Sequence, residues 1–314
     1  MLQIKVQKND AGQRLDKFIQ RVLKKAPLSF IYKALRNKDI RLNSKKATGK
    51  EVLLEGDEVL FRFPDVQLRD LRGEPETSKA SVPELRLSDY CTIVYEDDQM
   101  ILANKKAGIL SPRSESGEIT LNEALLSYCG GGDGLFTPSV CNRIDRNTTG
   151  LVAFAKTYAA ARMLSDAFKN RDSRKYYLAG VWGDVRGKYR EKAFLKKEDA
   201  ENRVIIGNEG SEIETAWEDA SHAWIGDRPV TLLLVELITG KTHQIRAHLA
   251  AKGTPVIGDP KYGGKTPGFS HQMLHAYELV LPDGRNFRAP VPKQIRQLFK
   301  NFDEVGVIGG SYQT

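Results

Sequence analysis

The order of apolar and polar positions predicts two unlike regions. From Arg14 to Lys25 the apolar residues Leu15, Phe18, Ile19, Val22 and Leu23 recur at helical spacing, while Arg14, Lys17, Arg21, Lys24 and Lys25 occupy a separate stripe. Pro27 ends that helix and Ser29 is placed to cap a second one. Its apolar side is Phe30, Ile31, Ala34 and Leu35, with Lys33, Arg36 and Lys38 outside. Ile40 to Asn43, a Lys/Gly-rich loop and the alternating run Asp57 to Phe63 then predict a small β element. Residues 64–89 carry Pro64, Gly73, Pro75 and Pro83 among charges with little periodicity, and read as a linker. Beyond it, strand-like runs (Thr92 to Glu96, Met100 to Asn104, Leu151 to Ala155, Tyr176 to Trp182, Val230 to Leu237) interleave with helical ones (Leu121 to Tyr128, Ala159 to Phe168, His243 to Ala251, Gln294 to Phe299). The pattern is α+β, with a small helical/β module over 1–63, the linker over 64–89 and a larger domain over 90–314.

Charge sharpens that division. The 314-residue chain has a formal net charge of +8. Residues 1–63 hold 15 Lys/Arg against 7 Asp/Glu, an excess of eight, and the remainder holds 33 of each sign. A compact basic patch on an otherwise balanced protein points to a polyanion, and nucleic acid fits better than membrane because no basic helix with bulky apolar residues accompanies it. The N-terminus has strand-like alternation without an apolar leader core, and no stretch reaches the length of a membrane span, so a cytoplasmic location is expected. Cys91, Cys129 and Cys141 are odd in number and far apart, which fits buried small hydrophobes better than a disulfide framework or zinc knuckle. Gly130-Gly-Gly-Asp-Gly134 is expected to be a flexible loop, since it lacks the Lys and spacing of a phosphate-binding loop.

Residues 142–150 read Asn-Arg-Ile-Asp-Arg-Asn-Thr-Thr-Gly and lead directly into the apolar run Leu151 to Ala155. A strand-anchored polar turn of this kind presents a carboxylate, Asp145, between two arginines, and Arg143 and Arg146 are expected to hold it ionised. The plainer reading is a loop Asp bonded to its own backbone. Among other candidates, Asp259 sits in a Gly258-Asp-Pro turn whose setting suggests structure. His243 and His248 fall about 140° apart on a helix of 3.6 residues per turn and cannot converge on one metal, so no metal is assigned.

Two more stretches, Arg174-Lys-Tyr-Tyr-Leu-Ala-Gly-Val-Trp-Gly183 and Gly240-Lys-Thr-His-Gln-Ile-Arg-Ala-His248 leading into Gly258-Asp-Pro-Lys-Tyr-Gly263, follow in order. With the Asp145 turn they resemble the three motifs of the RluA-type pseudouridine synthases, over roughly residues 90–300. That family's first motif usually reads His-Arg-Leu-Asp before a Thr/Ser-Gly turn; Arg143, Asp145, Thr148 and Gly150 match, while Asn142 and Ile144 depart. Lys241 replaces the Arg of Gly-Arg-Thr-His-Gln. The stretch Arg14-Leu-Asp-Lys-Phe18 and the element pattern around it resemble the RNA-binding module of the fourth small-subunit ribosomal protein, here called S-four-like, with Arg14, Lys17, Arg21, Lys33 and Arg36 as its candidate RNA contacts.

The resemblance implies an isomerase that cuts the bond between uracil and ribose, turns the base and rejoins it through carbon, without metal or cofactor. It implies a central, mostly antiparallel sheet crossed by a cleft. Asp145 would act on the base or the ribose, Arg246 would pair with it, and Tyr177 would pack on the uracil and take part in proton transfer. Strand alternation puts Tyr176 on the opposite face. Arg143, a planar cation, suits the space a flipped base vacates. His275 matches a position whose role is structural. Large-subunit ribosomal RNA is the implied substrate, with transfer RNA the alternative, and the protein is expected to act as a monomer without obligate protein partners. Two rivals remain, a non-catalytic RNA-binding assembly factor and a carboxylate hydrolase such as a glycosidase, for which Asp259 would have to be the second acid.

Overall fold

A short strand, β1 (Leu2–Lys5), opens the chain and pairs with a strand more than fifty residues later. The computed structural model describes residues 1–73, 85–111, 117–131, 135–198, 203–263 and 266–302. The two basic helices form as their periodicity predicts, α1 over Leu15–Val22 and α2 over Leu28–Arg36. Leu15, Phe18, Ile19, Ile31 and Leu35 are fully buried between them, each contributing about 1.5–3 kcal/mol of transfer free energy. Ser29 does not cap α2. Pro27 holds the N-cap position with φ −67°, a geometry its ring already favours, and Ser29 lies inside the first turn. Strands β2 (Ile40–Leu42), β3 (Lys45–Lys46) and β4 (Glu58–Phe61) complete a four-stranded antiparallel sheet in the order β1-β4-β2-β3.

The expected linker departs from its reading. Asp65–Arg72 is a helix, α3, whose Leu68 is buried and whose Leu71 packs on the same core; the Leu71 carbonyl accepts from the Lys25 N–H at 2.9 Å. The N-terminal unit therefore runs past residue 63. Residues 74–84 of the expected linker lie outside the described residues, as do Gly132, Asp133 and Gly134 of the glycine-rich loop.

The larger domain contains β5 (Cys91–Glu96), β6 (Met100–Lys105), α4 (Leu121–Tyr128), β7 (Ser139–Val140), β8 (Thr149–Ala155), α5 (Tyr158–Asn170) and β9 (Arg174–Trp182). It continues through β10 (Lys188–Glu198), β11 (Arg203–Gly207), β12 (Ser211–Ile225), β13 (Arg228–Leu237), α6 (Gln244–Ala251), β14 (Leu274–Val280), β15 (Asn286–Arg288) and α7 (Lys293–Leu298). These strands form one eleven-stranded sheet with the path β11-β10-β12-β13-β9-β14-β8-β6-β5. Its ladders among the described residues are antiparallel except one, the parallel pairing of β14 with β8 through His275↔Thr149 and Ala276↔Gly150. β14 thus lies between β8 and β9 and joins two half-sheets. Strand alternation loads both faces: Ile101, Val152, Tyr177 and Val235 pack with Ile245 and Leu249 of α6, while Tyr176, Leu178 and Leu234 pack with Ile295 of α7. No helix among the described residues is long and apolar enough to cross a membrane. Cys91 is buried, whereas Cys129 and Cys141 are only half-buried; all three are free thiols.

The two units touch. The buried Asp10 carboxylate accepts from the backbone N–H groups of Leu135 and Phe136, both at 2.8 Å, and Lys8 pairs with Asp98 at 2.8 Å. Arg21 lies over the rings of Tyr158 and Phe136, 4.8 and 5.8 Å from their centroids, so this candidate RNA contact is instead part of the junction.

Candidate active site

The turn carrying Asp145 joins β7 to β8, and nearly every residue of it is fastened to the domain. The Asn142 side chain bridges back to β8, its Oδ1 accepting from the Ala153 N–H at 2.7 Å and its Nδ2 donating to the Leu151 carbonyl at 3.4 Å. The Ile144 side chain is buried in the same cluster as Tyr177, and its carbonyl accepts from Ser111 Oγ at 3.1 Å. The Thr148 N–H closes the turn onto the Asp145 carbonyl at 3.0 Å, and Thr148 Oγ1 accepts from Gln272 Nε2 at 3.2 Å. Gly150 has φ +108°, and a Cβ there would sit 2.2 Å from the Ala276 carbonyl oxygen; only glycine lets β8 approach β14 this closely.

Beneath the turn lies Lys105, 1% exposed, whose ammonium donates at 2.8 Å to the carbonyls of Lys106, Ile109 and Arg146. Burial pulls its pKa down to about 7, with the Asp145 charge opposing. Three carbonyl acceptors call for three protons, which only the ammonium form carries.

Asp145 itself keeps 24% of its side chain exposed and accepts at Oδ2 from Arg246 Nη1 at 2.8 Å. Arg246 projects from α6, 5% exposed, and its other two donors grip Asp259 in a bidentate fork, Nε to Oδ2 at 2.7 Å and Nη2 to Oδ1 at 2.8 Å. Burial opposes the guanidinium charge, but Asp259 and Asp145 more than offset it and raise the Arg246 pKa. Asp259 has no exposed surface and also accepts from the N–H groups of Lys261 and Tyr262. Tyr177, 7% exposed on β9, faces the same cluster, and its phenol pKa is raised by burial and then by the Asp145 charge. Tyr176 lies in the core cluster of the opposite face, as alternation requires. One carboxylate is thus left accessible, oriented by a buried arginine and backed by an aromatic ring. The set can act on one face of a planar substrate at a time, and it offers no second exposed acid.

The family model for RNA pseudouridylate synthase matches residues 99–251. The chain is 31% identical to ribosomal large subunit pseudouridine synthase C of Vibrio vulnificus over 313 residues, covering 95% of each protein. It is also 31% identical over 301 residues to an RNA pseudouridine synthase of Mycoplasma genitalium, covering 91% of each. Its fold is similar to human RNA pseudouridylate synthase domain containing 1, with a TM-score of 0.56, 27% identity and coverage of 68% of this chain and 88% of that one. The chain belongs to the RluA-type RNA pseudouridine synthases. As such it is an isomerase that converts uridine to pseudouridine in RNA.

Within the synthase, Asp145, Tyr177 and Arg246 come together as the motifs implied. The expected partners of Asp145 do not. Arg146 pairs with Glu118 at 2.6 Å, and Arg143 is exposed without an ion-pair partner among the described residues, so Arg246 alone supplies the contacting cation. Asn142 keeps the turn in register by bonding β8, which explains how the loop holds its shape without the family's histidine. Lys241 is exposed and contributes its backbone, the N–H donating to the buried side-chain amide of Gln244 at 3.1 Å and the carbonyl accepting from the Gln244 N–H at 3.1 Å. Arg14 is tied to Asp16 at 2.6 Å, which Tyr32 also holds, while Lys17, Lys33 and Arg36 are exposed. His275 is buried, its Nδ1 2.8 Å from Thr149 Oγ1. Sequence reasoning missed Lys105 and Tyr262 as parts of the site, gave His243 no role beyond excluding a metal, and read Asp259 as a turn residue or, for a hydrolase, a second acid. For Asp259 the signal was there: a second carboxylate in a marked motif, 13 residues beyond the arginine it holds.

Proposed function

We propose that this synthase modifies uridines of large-subunit ribosomal RNA in the cytoplasm, with Asp145 as the carboxylate that meets the target nucleotide. The observation that carries the reading is the Asp145–Arg246–Asp259 chain: a buried fork fixes the arginine, and the arginine fixes the only carboxylate of the three residues that a substrate can reach. Arg246 holds Asp145 in place through its Nη1 donor, Tyr177 offers a ring for the uracil to pack on, and Arg143 is free to fill the space the flipped base leaves. Exposed Lys17, Lys33 and Arg36 on the N-terminal S-four-like unit bind RNA phosphates; Arg14, exposed beside its ion pair with Asp16, stays a candidate, while Arg21 lies in the junction. A glycosidase would need Asp259 as its acid, and its complete burial removes that reading.

The relatives named as acting on the large ribosomal subunit support this substrate class over transfer RNA. Mapping pseudouridines in ribosomal and transfer RNA from a strain lacking the protein tests it: a uridine left unmodified in large-subunit RNA is expected, and one lost only from transfer RNA would overturn the assignment. Asp145→Asn keeps the shape and removes the charge, so it is expected to abolish isomerisation while RNA affinity stays within about twofold. Activity of the purified variant above a trace would remove Asp145 from the reaction.

A further inference from the structure

His243 stands immediately before α6 with φ +52°, a left-handed backbone that residues other than glycine hold only where their surroundings fix them. Beside its ring lies Tyr262. Its Oη accepts from the Val204 N–H at 3.0 Å and lies 3.1 Å from His243 Nδ1. Oη already accepts from that amide and its own proton has no other acceptor among the described residues, so the pair is best satisfied with the phenol donating to Nδ1 and the ring proton on Nε2. Burial lowers the His243 pKa; Asp145 and Asp259 oppose that shift while Arg246 and Lys261 add to it, so the ring is neutral at pH 7. Nε2 has no partner among the described residues and is not enclosed. The ring sits edge-on to Tyr262 with centroids 5.8 Å apart, and Arg246, which grips Asp145, lies over the same tyrosine at 5.2 Å. A ring nitrogen without a protein partner therefore stands within electrostatic reach of Asp145.

We propose that His243 is a further catalytic residue of this synthase, its Nε2–H donating a hydrogen bond to a carbonyl oxygen of the target uracil. The inference rests on Asp145 being the carboxylate that meets the target uridine. When the bond between ribose C1′ and uracil N1 breaks, its electron pair stays with the base and spreads over the ring carbonyls. A donor that reaches one of them stabilises that anion, and no proton is transferred from the histidine. A neutral ring keeps its donor for the base, whereas an imidazolium would compete with Arg246 for the Asp145 carboxylate.

Two substitutions separate the parts of the claim. His243→Asn tolerates the left-handed backbone and can still accept from Tyr262, but no donor reaches the Nε2 position; His243→Gln extends an amide N–H to about that point. Single-turnover tritium release from a mixture of large-subunit ribosomal and transfer RNA transcripts labelled with 5-tritiated uridine reads the rate, and filter binding of the same mixture reads affinity. His243→Asn is expected to lose about 10²–10³-fold in rate with affinity within about twofold, and His243→Gln to recover at least about tenfold of that loss. Nitrogen-15 shifts of the histidine rings are expected to place the proton of His243 on Nε2. A wild-type rate in His243→Asn, a loss that glutamine does not recover, or an Nδ1 proton would each overturn the proposal. Asp145→Asn run alongside keeps the two readings apart: activity there sinks the site itself, while an inactive Asp145→Asn beside a fully active His243→Asn sinks only the histidine.

Discussion

Arg246 has three donor nitrogens, and two of them are engaged by a residue that no substrate can touch. That arrangement makes Asp259 a positioning residue: with Nε and Nη2 fixed in its fork, Nη1 has one direction left, and Asp145 lies along it. Asp259→Asn converts the fork into at best one good hydrogen bond and leaves a buried guanidinium with a single carboxylate. The expected outcome is a stability loss of about 3–5 kcal/mol by urea denaturation and a single-turnover rate reduced by more than tenfold at unchanged RNA affinity. An equal rate in both proteins would mean that Asp145 keeps its aim without the fork. The converging motifs made Asp145, Tyr177 and Arg246 legible in the sequence. Lys105 and Tyr262 were not, because what defines them is a partner far along the chain: Lys105 holds the carbonyl of Arg146, and Tyr262 holds the amide of Val204.

The seam between β14 and β8 carries a pH signature. His275 is buried against Thr149, and burial lowers its pKa to about 3 from an ordinary 6.5. Between those values the unfolded chain binds a proton there that the folded chain does not, so this group's contribution is whole above pH 6.5 and is lost as pH falls toward 3, at up to about 1.4 kcal/mol per pH unit. Unfolding free energies measured from pH 6.5 to 4 are expected to fall less steeply for His275→Gln than for wild type; parallel slopes would show that the histidine is already charged when folded. Elements with local patterns were legible, α4 and the central strands β6, β9 and β13 among them. The strand β10 was not, since Lys188, Arg190 and Lys192 interrupt its apolar residues. Those charges are answered across the ladder by Glu218, Glu214 and Glu212 of β12, a pairing no local window reveals. α3 was hidden for the opposite reason: Pro64 and Gly73 look like linker punctuation and are the start and stop of a helix, the glycine at φ +78°.

Across the molecule, the basic excess of the first 63 residues is not all available to RNA. Replacing Lys17, Lys33 and Arg36 together by Ala is expected to flatten the dependence of log affinity on log salt by up to about three, roughly one per lost phosphate contact, while Arg21→Ala leaves the slope unchanged and loosens the junction with Phe136 and Tyr158 instead. Filter binding across a salt series decides between them, and an equal slope for the triple variant would place the RNA contacts elsewhere. The insertion of β14 between β8 and β9 also sets when the enzyme can begin to exist. The half-sheet bearing Asp145 and the half-sheet leading to Arg246 are stitched by a strand that follows both in the sequence. At about 5–20 residues per second, both halves are made before the strand that joins them, and for a time on the order of seconds no catalytic site stands between them. A nascent chain therefore has no isomerase activity toward the RNA it emerges beside until residues 274–280 have cleared the exit and closed the gap.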